Sequence, residues 1–313
     1  MAVYDTTNRL VTLLGPTGSG KSAIAMAVAH ETGAHIVAID AFTVYRGMDI
    51  GTAKPTREDQ ARVPHHCLDL LDPSEDGTVA WFQGECRATI TRLLAAGERV
   101  LCVGGSGLYA RAVLDVMHFP PTDPAVRARI SRRVSQDPRG GHAELHAKDP
   151  AAAAKIEPDN ARRTTRALEV IELTGRPFSA FATDWDSYQT VFPGMQCFGL
   201  HRDREELRER IAERTDMMLA AGWLDECTRL LEADLSRTAA QAHGYKEMMA
   251  AIRGEWSLGE AKTQTINRTR QYAARQQRWF AKDPRITWGS GQDLTEQLIT
   301  AFTNPPSLYD KGP

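Results

Sequence analysis

Apolar residues fall into short runs separated by longer amphipathic stretches. Residues 9–14 read RLVTLL, 35–39 read HIVAI and 99–103 read RVLCV. Each is a compact aliphatic run of the kind found in strands buried on both faces. Between them, residues 23–29 (AIAMAVA) predict a helix stopped by Gly33, and a second helix falls near 78–96. Strand, helix, strand, helix, strand predicts a parallel sheet wrapped by helices. The rhythm breaks at Phe119-Pro120-Pro121. Residues 124–180 are Ala- and Arg-rich and helical in pattern, and residues 196–200 (QCFGL) return to the sheet. The reading is a core of residues 1–120 and 195–313 interrupted by a helical insertion at 121–194. Long helices follow the insertion, residues 285–288 suggest a last edge strand, and the tail from Pro305 reads as loose.

The link between the first strand and the first helix carries chemistry. It reads Gly15-Pro16-Thr17-Gly18-Ser19-Gly20-Lys21-Ser22, a complete G-x-x-x-x-G-K-S/T loop. Glycines let backbone N–H groups turn inward, the helix N-terminus adds positive potential, and Lys21 adds a full charge. Ser22 stands where a hydroxyl can hold Mg²⁺. The expected fold class is therefore α/β, a P-loop NTPase-like parallel sheet with helices on both faces, plus the helical insertion and C-terminal helices.

Composition narrows the setting. The chain has 313 residues, a formal net charge of −2 and five cysteines, none spaced C-x-x-C. That argues for reduced thiols rather than disulfides or a zinc site. The first residues lack a basic segment followed by an apolar one, and no apolar run nears the roughly 20 residues of a membrane span. The expectation is a soluble cytoplasmic protein, monomeric, with no membrane partner. No global basic field advertises nucleic acid, so any such contact must come from local patches.

Four further features invite a role. Asp40 ends the second strand, at the edge where open α/β sheets bind ligands. It reads equally as a holder of metal-bound water or as a general base. In the helix starting near Arg202, Leu207, Ile211 and Met218 form an apolar stripe with Arg214 in its middle. A guanidinium there needs an anion, either a phosphate or a structural carboxylate. Residues 260–285 hold seven Lys or Arg against two acids, and Arg162, Arg163 and Arg166 gather at a helix start, where the macrodipole disfavours cations. Two such clusters in a slightly acidic chain suggest RNA. Gly104-Gly105-Ser106-Gly107 follows the third strand and reads equally as a tight turn or a ligand approach.

Taken together, the stretches GPTGSGKS (15–22), DAFTVYRGMDIGTAKP (40–55), VPHHCLDLLDP (63–73), VGGSGLYARAVL (103–114), HGYKEM (243–248) and RTRQYAARQQRWF (268–280) resemble the bacterial tRNA dimethylallyltransferase family. PPTDPAVRARI (120–130) and RRTTRALEVIELTGRP (162–177) extend the likeness over residues 9–288. The resemblance implies transfer of a dimethylallyl group from its diphosphate to N6 of the adenosine 3′ of the anticodon, with Mg²⁺ and release of diphosphate. It implies that Asp40 is the base and that Lys21, Ser22, the loop amides and Arg214 bind the diphosphate. It further implies tRNA contacts from Asp40, Ala41, Phe42, Thr43, Ser106, Arg127, Arg162, Arg163, Arg166, Gln241, His243, Gly244, Tyr245, Lys246, Arg275, Gln276, Arg278 and Trp279. The partners are then the tRNA anticodon stem-loop and dimethylallyl diphosphate.

This chain departs from the common family text at Ala41, where Ser is usual, at Thr43, where Gln is usual, and at His243, where an apolar residue is usual. Two enzyme alternatives remain at this point. One is a P-loop kinase using ATP on a small acceptor, the other an adenylate isopentenyltransferase acting on free nucleotides. A non-catalytic RNA-binding P-loop protein is a third reading, which intact Asp40 and Arg214 disfavour.

Overall fold

The structure is a computed structural model and describes residues 9–181 and 187–303. Its sheet has six parallel strands, β1 (Leu10–Leu14), β2 (His35–Ile39), β3 (His65–His66), β4 (Val100–Gly104), β5 (Gln196–Leu200) and β6 (Ile286–Gly289), in the order β3-β2-β4-β1-β5-β6. Alternation along β1 divides the core. Leu10 and Leu14 pack with Phe82 and Ile90, whereas Val11 and Leu13 pack with Val28, Leu294 and Leu298. Helices α1 (Lys21–Thr32), α2 (Arg57–Arg62), α3 (Val79–Ala95) and α4 (Gly107–Leu114) connect the first strands. β3 has only two residues, paired as Ile36↔His65 and Val37↔His66, too short for any hydrophobic period to announce it. The tail from Pro305 lies outside the described residues.

The chain forms two compact units. One comprises the described residues up to Asp115 and from Thr190 onward, and the other runs Val116–Gln189. The expected borders at 121 and 194 are corrected toward the N-terminus. The physical reason is backbone pairing: Asp115 bridges Thr190 antiparallel, and Val116 N donates to Gln189 O at 2.8 Å. That pairing closes the unit, and the prolines follow inside it.

The second unit is helical, with α5 (Pro124–Gln136), α6 (Pro138–Lys148), α7 (Pro150–Ala153) and α8 (Ala161–Thr174). Three helices start on Asp-Pro. Asp123, Asp137 and Asp149 each accept hydrogen bonds from first-turn N–H groups, and the following proline needs no partner for a missing N–H. Ile130, Val134, Leu145 and Leu168 make its core. Beside that core, Glu169 is fully buried and accepts from Thr122 Oγ1, Asp123 N, Arg127 Nε and Arg166 Nη1.

After the second unit the chain continues through α9 (Arg204–Ala220), α10 (Trp223–Leu231), α11 (Tyr245–Ile252), α12 (Leu258–Phe280) and α13 (Gly291–Thr303). Buried Glu226 on α10 fixes the loop 49–51. Its Oε2 accepts from Asp49 N at 2.9 Å and Ile50 N at 2.8 Å, and its Oε1 from Gly51 N at 3.1 Å and Tyr245 OH at 2.6 Å. Lys54 secures the same loop from its other end, donating to Tyr45 O, Asp49 and Asp69. Replacing Glu226 by Ala strands three backbone donors and a phenol, at about 1 kcal/mol or more each. Glu226→Ala is expected to lower unfolding stability by about 4 kcal/mol or more and Tyr245→Phe by only about 1 kcal/mol in urea titrations. Equal stability of Glu226→Ala and the parent would remove the carboxylate from this role.

Candidate active site

Register places the site. Ile39 pairs with Gly104 and Gly104 with Leu14, so the next residues on three adjacent strands, Asp40, Gly105 and Gly15, emerge abreast at the carboxyl edge of the sheet. Asp40 Oδ1 accepts from Phe42 N at 2.8 Å and Thr43 N at 3.2 Å, a turn that holds the carboxylate at the strand end. Oδ2 has no hydrogen-bond donor among the described residues. A cavity of about 650 Å³ opens there, lined by Lys21, Asp40, Arg214, His243, Tyr272 and Trp223 among others.

The P-loop is gripped from outside by two helices. From α9, Arg214 Nη2 donates to Thr17 Oγ1 at 2.8 Å, and Arg210 Nε donates to Gly18 O at 2.9 Å. Arg202, just before α9, donates to Ser19 O at 2.9 Å. From α12, Gln276 Oε1 accepts from Thr17 N at 2.8 Å. Lys21 Nζ donates to Pro16 O at 2.7 Å. Burial, joined by the Arg214 charge and opposed by Asp40, lowers the Lys21 pKa to about 7. Burial also lowers Arg214, again against Asp40. Two desolvated cations thus share one cavity with Asp40, the carboxylate that acts on both, a field suited to an anion.

Aromatic rings wall the other side. Phe42, His243 and Tyr272 pack in sequence, Phe42 edge-on to His243 and His243 tilted against Tyr272, with centroids 6.1 Å and 4.3 Å apart. Burial first, then the charge of Arg275, keeps His243 below its ordinary pKa, so it is an uncharged ring in this wall. The Tyr272 hydroxyl is raised to about 12 by burial and by Asp40, against hydrogen bonds from Ser106 and Gln276. Three buried polar atoms of residues lining the cavity, Thr43 Oγ1, Thr265 Oγ1 and Trp223 Nε1, have no hydrogen-bond partner among the described residues.

The residues proposed from sequence divide into groups. Ser22 is exposed at the start of α1, and Asp40, Phe42, Thr43 and His243 line the cavity. Ala41 is partly buried beside them. Arg275, Arg278 and Trp279 lie on the outer part of α12, Lys246 is exposed on α11, and exposed Gln241 donates to Arg237 O. Trp279 folds back over Gly107, where a Cβ would sit 2.1 Å from its ring. Arg162 and Arg163 are exposed on α8.

Several expectations need correction. Tyr245 is 1% exposed, bonded to Glu226 and packed edge-on to Trp223, so it is core and not RNA surface. Gly244 is buried under the same Trp223. Gln276 is 5% exposed, with both ends of its amide taken by backbone. Arg127 and Arg166 bind Glu169, and Arg166 also donates to the carbonyls of Pro120 and Pro121. The +5 excess of residues 260–285 is partly neutralised by acids distant in sequence: Lys262 pairs with Asp216, Arg268 with Glu247 and Arg285 with Asp115. A local charge count could not see those partners. Arg202, Arg210 and Tyr272 went unnoticed, although Arg210 lies one turn before Arg214 and Tyr272 one turn before Gln276.

The parallel sheet and the glycine-rich loop facing a strand-end carboxylate define an α/β protein with a P-loop at the carboxyl edge of its sheet. A family model described as IPP transferase matches residues 43–283, and a second, Isopentenyl transferase, matches residues 8–69. A tRNA dimethylallyltransferase of Bifidobacterium longum is 47% identical over 90% of this chain and 86% of its own. One from Streptomyces coelicolor is 46% identical over 92% and 93%. Among solved structures, a tRNA isopentenylpyrophosphate transferase of Bacillus halodurans is 34% identical, with TM-score 0.66 over 95% of both chains. A eukaryotic dimethylallyltransferase acting on tRNA superposes with TM-score 0.79 at 25% identity, over 97% of this chain and 82% of that one. The chain belongs to the tRNA dimethylallyltransferase family of prenyltransferases. No helix among the described residues is long and apolar enough to cross a membrane.

Lys21 gives a pH test. Its native pKa of about 7 lies below the ordinary 10.5, so between those values the unfolded chain holds the extra proton. Stability from this group therefore rises with pH across that window, and the penalty of a buried charge is complete below it. Lys21→Met removes the penalty. The variant should exceed the ligand-free parent in stability at about pH 6, by a margin that shrinks toward about pH 9 in urea titrations. A margin independent of pH would contradict the assignment.

Proposed function

We propose that this protein transfers a dimethylallyl group from dimethylallyl diphosphate to N6 of the adenosine 3′ of the tRNA anticodon, releasing diphosphate. The observation that carries this reading is the shared cavity, with Lys21 and Arg214 on one side and the Asp40 carboxylate on the other. An allylic diphosphate ionises through a transition state with positive charge on carbon and negative charge gathering on the leaving group. The P-loop amides, Lys21 and Arg214 stabilise that departing charge, and they are in place before reaction. The exocyclic amine of adenine is a weak nucleophile because its lone pair is delocalised into the ring. Asp40, with Oδ1 committed to the turn, has Oδ2 left to accept the amine proton as the new C–N bond forms. The Phe42–His243–Tyr272 wall offers an apolar lining to an extruded base and keeps bulk water from the allyl carbon.

The residues present suit a magnesium ion held mostly by ligand oxygens. Among the described residues no group of three His, Cys, Asp or Glu side chains could hold a metal. The Ser22 hydroxyl at the mouth of the cradle is the protein ligand we assign, in keeping with an ion that retains its waters and leans on phosphates. Bound there, Mg²⁺ supplies further neutralisation of the diphosphate. RNA is gripped by the outer cations of α12, Arg275 and Arg278, with Lys282 just beyond the helix.

The direct assay is incubation with dimethylallyl diphosphate, Mg²⁺ and unmodified tRNA, followed by mass spectrometry of nucleosides. A prenylated adenosine is the expected product, and ATP turnover without prenylation would favour a kinase instead. Asp40→Asn keeps an oxygen for the turn but loses the base. It should reduce kcat about 10²–10⁴-fold with tRNA affinity unchanged, and near-parental kcat would place the base elsewhere. Replacing Arg278 and Lys282 with Ala should weaken tRNA binding and lower its log–log salt slope by about 1–2. An unaltered slope would take those two residues off the RNA face.

A further inference from the structure

α12 carries two adjacent functional faces, which meet where the Arg275 guanidinium lies 5.8 Å from the centre of the Tyr272 ring. Gln271, Arg275 and Arg278, at i, i+4 and i+7, are exposed. Tyr272, Gln276 and Trp279 have the same spacing one residue later: Tyr272 and Gln276 turn inward to the cavity wall and the P-loop, while Trp279, 41% exposed, lies over Gly107. Gln276 is the central member of the inner row. Its Oε1 accepts from Thr17 N at 2.8 Å and its Nε2 donates to Gly105 O at 2.6 Å. One side chain therefore bolts the loop after β1 to the loop after β4, the two loops on either side of Lys21. The fit has no slack. A Cβ at Gly105 would stand 2.8 Å from Gln276 Nε2, 3.3 Å from Gly15 O and 3.7 Å from Lys21 Nζ. A side chain at 105 would have to displace the Gln276 amide from this position.

We propose that Gln276 is a positioning residue of the diphosphate cradle, locking the P-loop against the Gly105 turn, and not a contact to RNA. The inference rests on the diphosphate reading of this site. Thr17 N is committed to Gln276 and Ser19 N to Pro16 O at 3.3 Å, so these amides shape the loop while those of Gly18 and Gly20 are left for the ligand. Without the bolt, two backbone groups lose their partners and the loop can turn its amides away from the anion. The loss should fall on anion binding and turnover, while the outer row keeps its grip on RNA.

The test measures affinities for inorganic pyrophosphate with Mg²⁺ and for tRNA separately, together with kcat at saturating substrates. Gln276→Met, of similar length without either bond, should weaken pyrophosphate binding and lower kcat, each about tenfold, while tRNA affinity stays within about twofold. Arg278→Ala should do the reverse. Gly105→Ala pushes on Nε2 from the opposite side without touching the outer row. It should reproduce the Gln276→Met pattern, and it carries the test alone if Gln276→Met does not fold. Loss of tRNA affinity with pyrophosphate binding intact would make Gln276 an RNA contact and overturn the proposal. Unchanged pyrophosphate affinity in both variants would overturn it equally. Absence of prenyl transfer by the parent chain would count against the proposed reaction, whereas the pyrophosphate arm would still decide the role of Gln276.

Discussion

Desolvation of two cations beside a single carboxylate is the constraint around which this molecule is arranged. Lys21 and Arg214 are both lowered in pKa by burial, and Asp40 is the one group opposing that effect on each. A cavity with this imbalance is unfavourable empty and favourable around an anion, because the desolvation cost has been met in folding rather than at the moment of binding. The same imbalance explains why the surrounding backbone is held so firmly. A loop carrying unsatisfied positive potential would relax toward solvent, and here Arg202, Arg210, Arg214 and Gln276 each hold one of its residues.

The hold is indirect and comes from sequence-distant elements. Glu226 on α10 gathers three consecutive N–H groups of residues 49–51, and Lys54 ties the end of that loop to Asp49 and Asp69. The family-specific text from Tyr45 to Pro55 is therefore a wall of the cavity secured by two buried charges, and its residues 51–55 line the space into which the reactants fit. Buried charges with every valence used give a single geometry instead of an ensemble. The proposed reaction needs Asp40 and the two cations held at a fixed separation, and that wall helps to fix the cavity they share.

What could be read from sequence tracks what is local. Strands β1, β2, β4 and β5 were visible because fully buried parallel strands are continuous aliphatic runs, and the P-loop because its glycines and lysine are contiguous. Arg214 stood out as a charge inside an apolar stripe, and the structure puts it on Thr17. Illegible features depend on distant pairing. Arg268 and Lys262 looked like free RNA-binding cations until Glu247 and Asp216 were brought beside them by folding. Tyr245 and Gln276 sit in family text and could not be told from surface residues, because their partners Glu226, Thr17 and Gly105 lie far away in the chain. Resemblance names a position's neighbourhood, whereas burial decides what its side chain can touch.

Charge economy links the two halves of the reaction. A chain of net charge −2 cannot attract a polyanion by its overall field, so cations must be spent selectively. The inner cations, assigned in our proposal to the diphosphate, are withdrawn from water, where salt screens them little. The outer ones on α12 remain exposed and are assigned in our proposal to RNA, where screening and counterion release make binding reversible. One helix carries both surfaces, with Gln276 beneath Arg275. The uncharged amide is the group that belongs between them: a guanidinium there would compete for the leaving diphosphate, and a carboxylate would repel it. Neutrality at position 276 is therefore as much a part of the electrostatic design as the charges on either side.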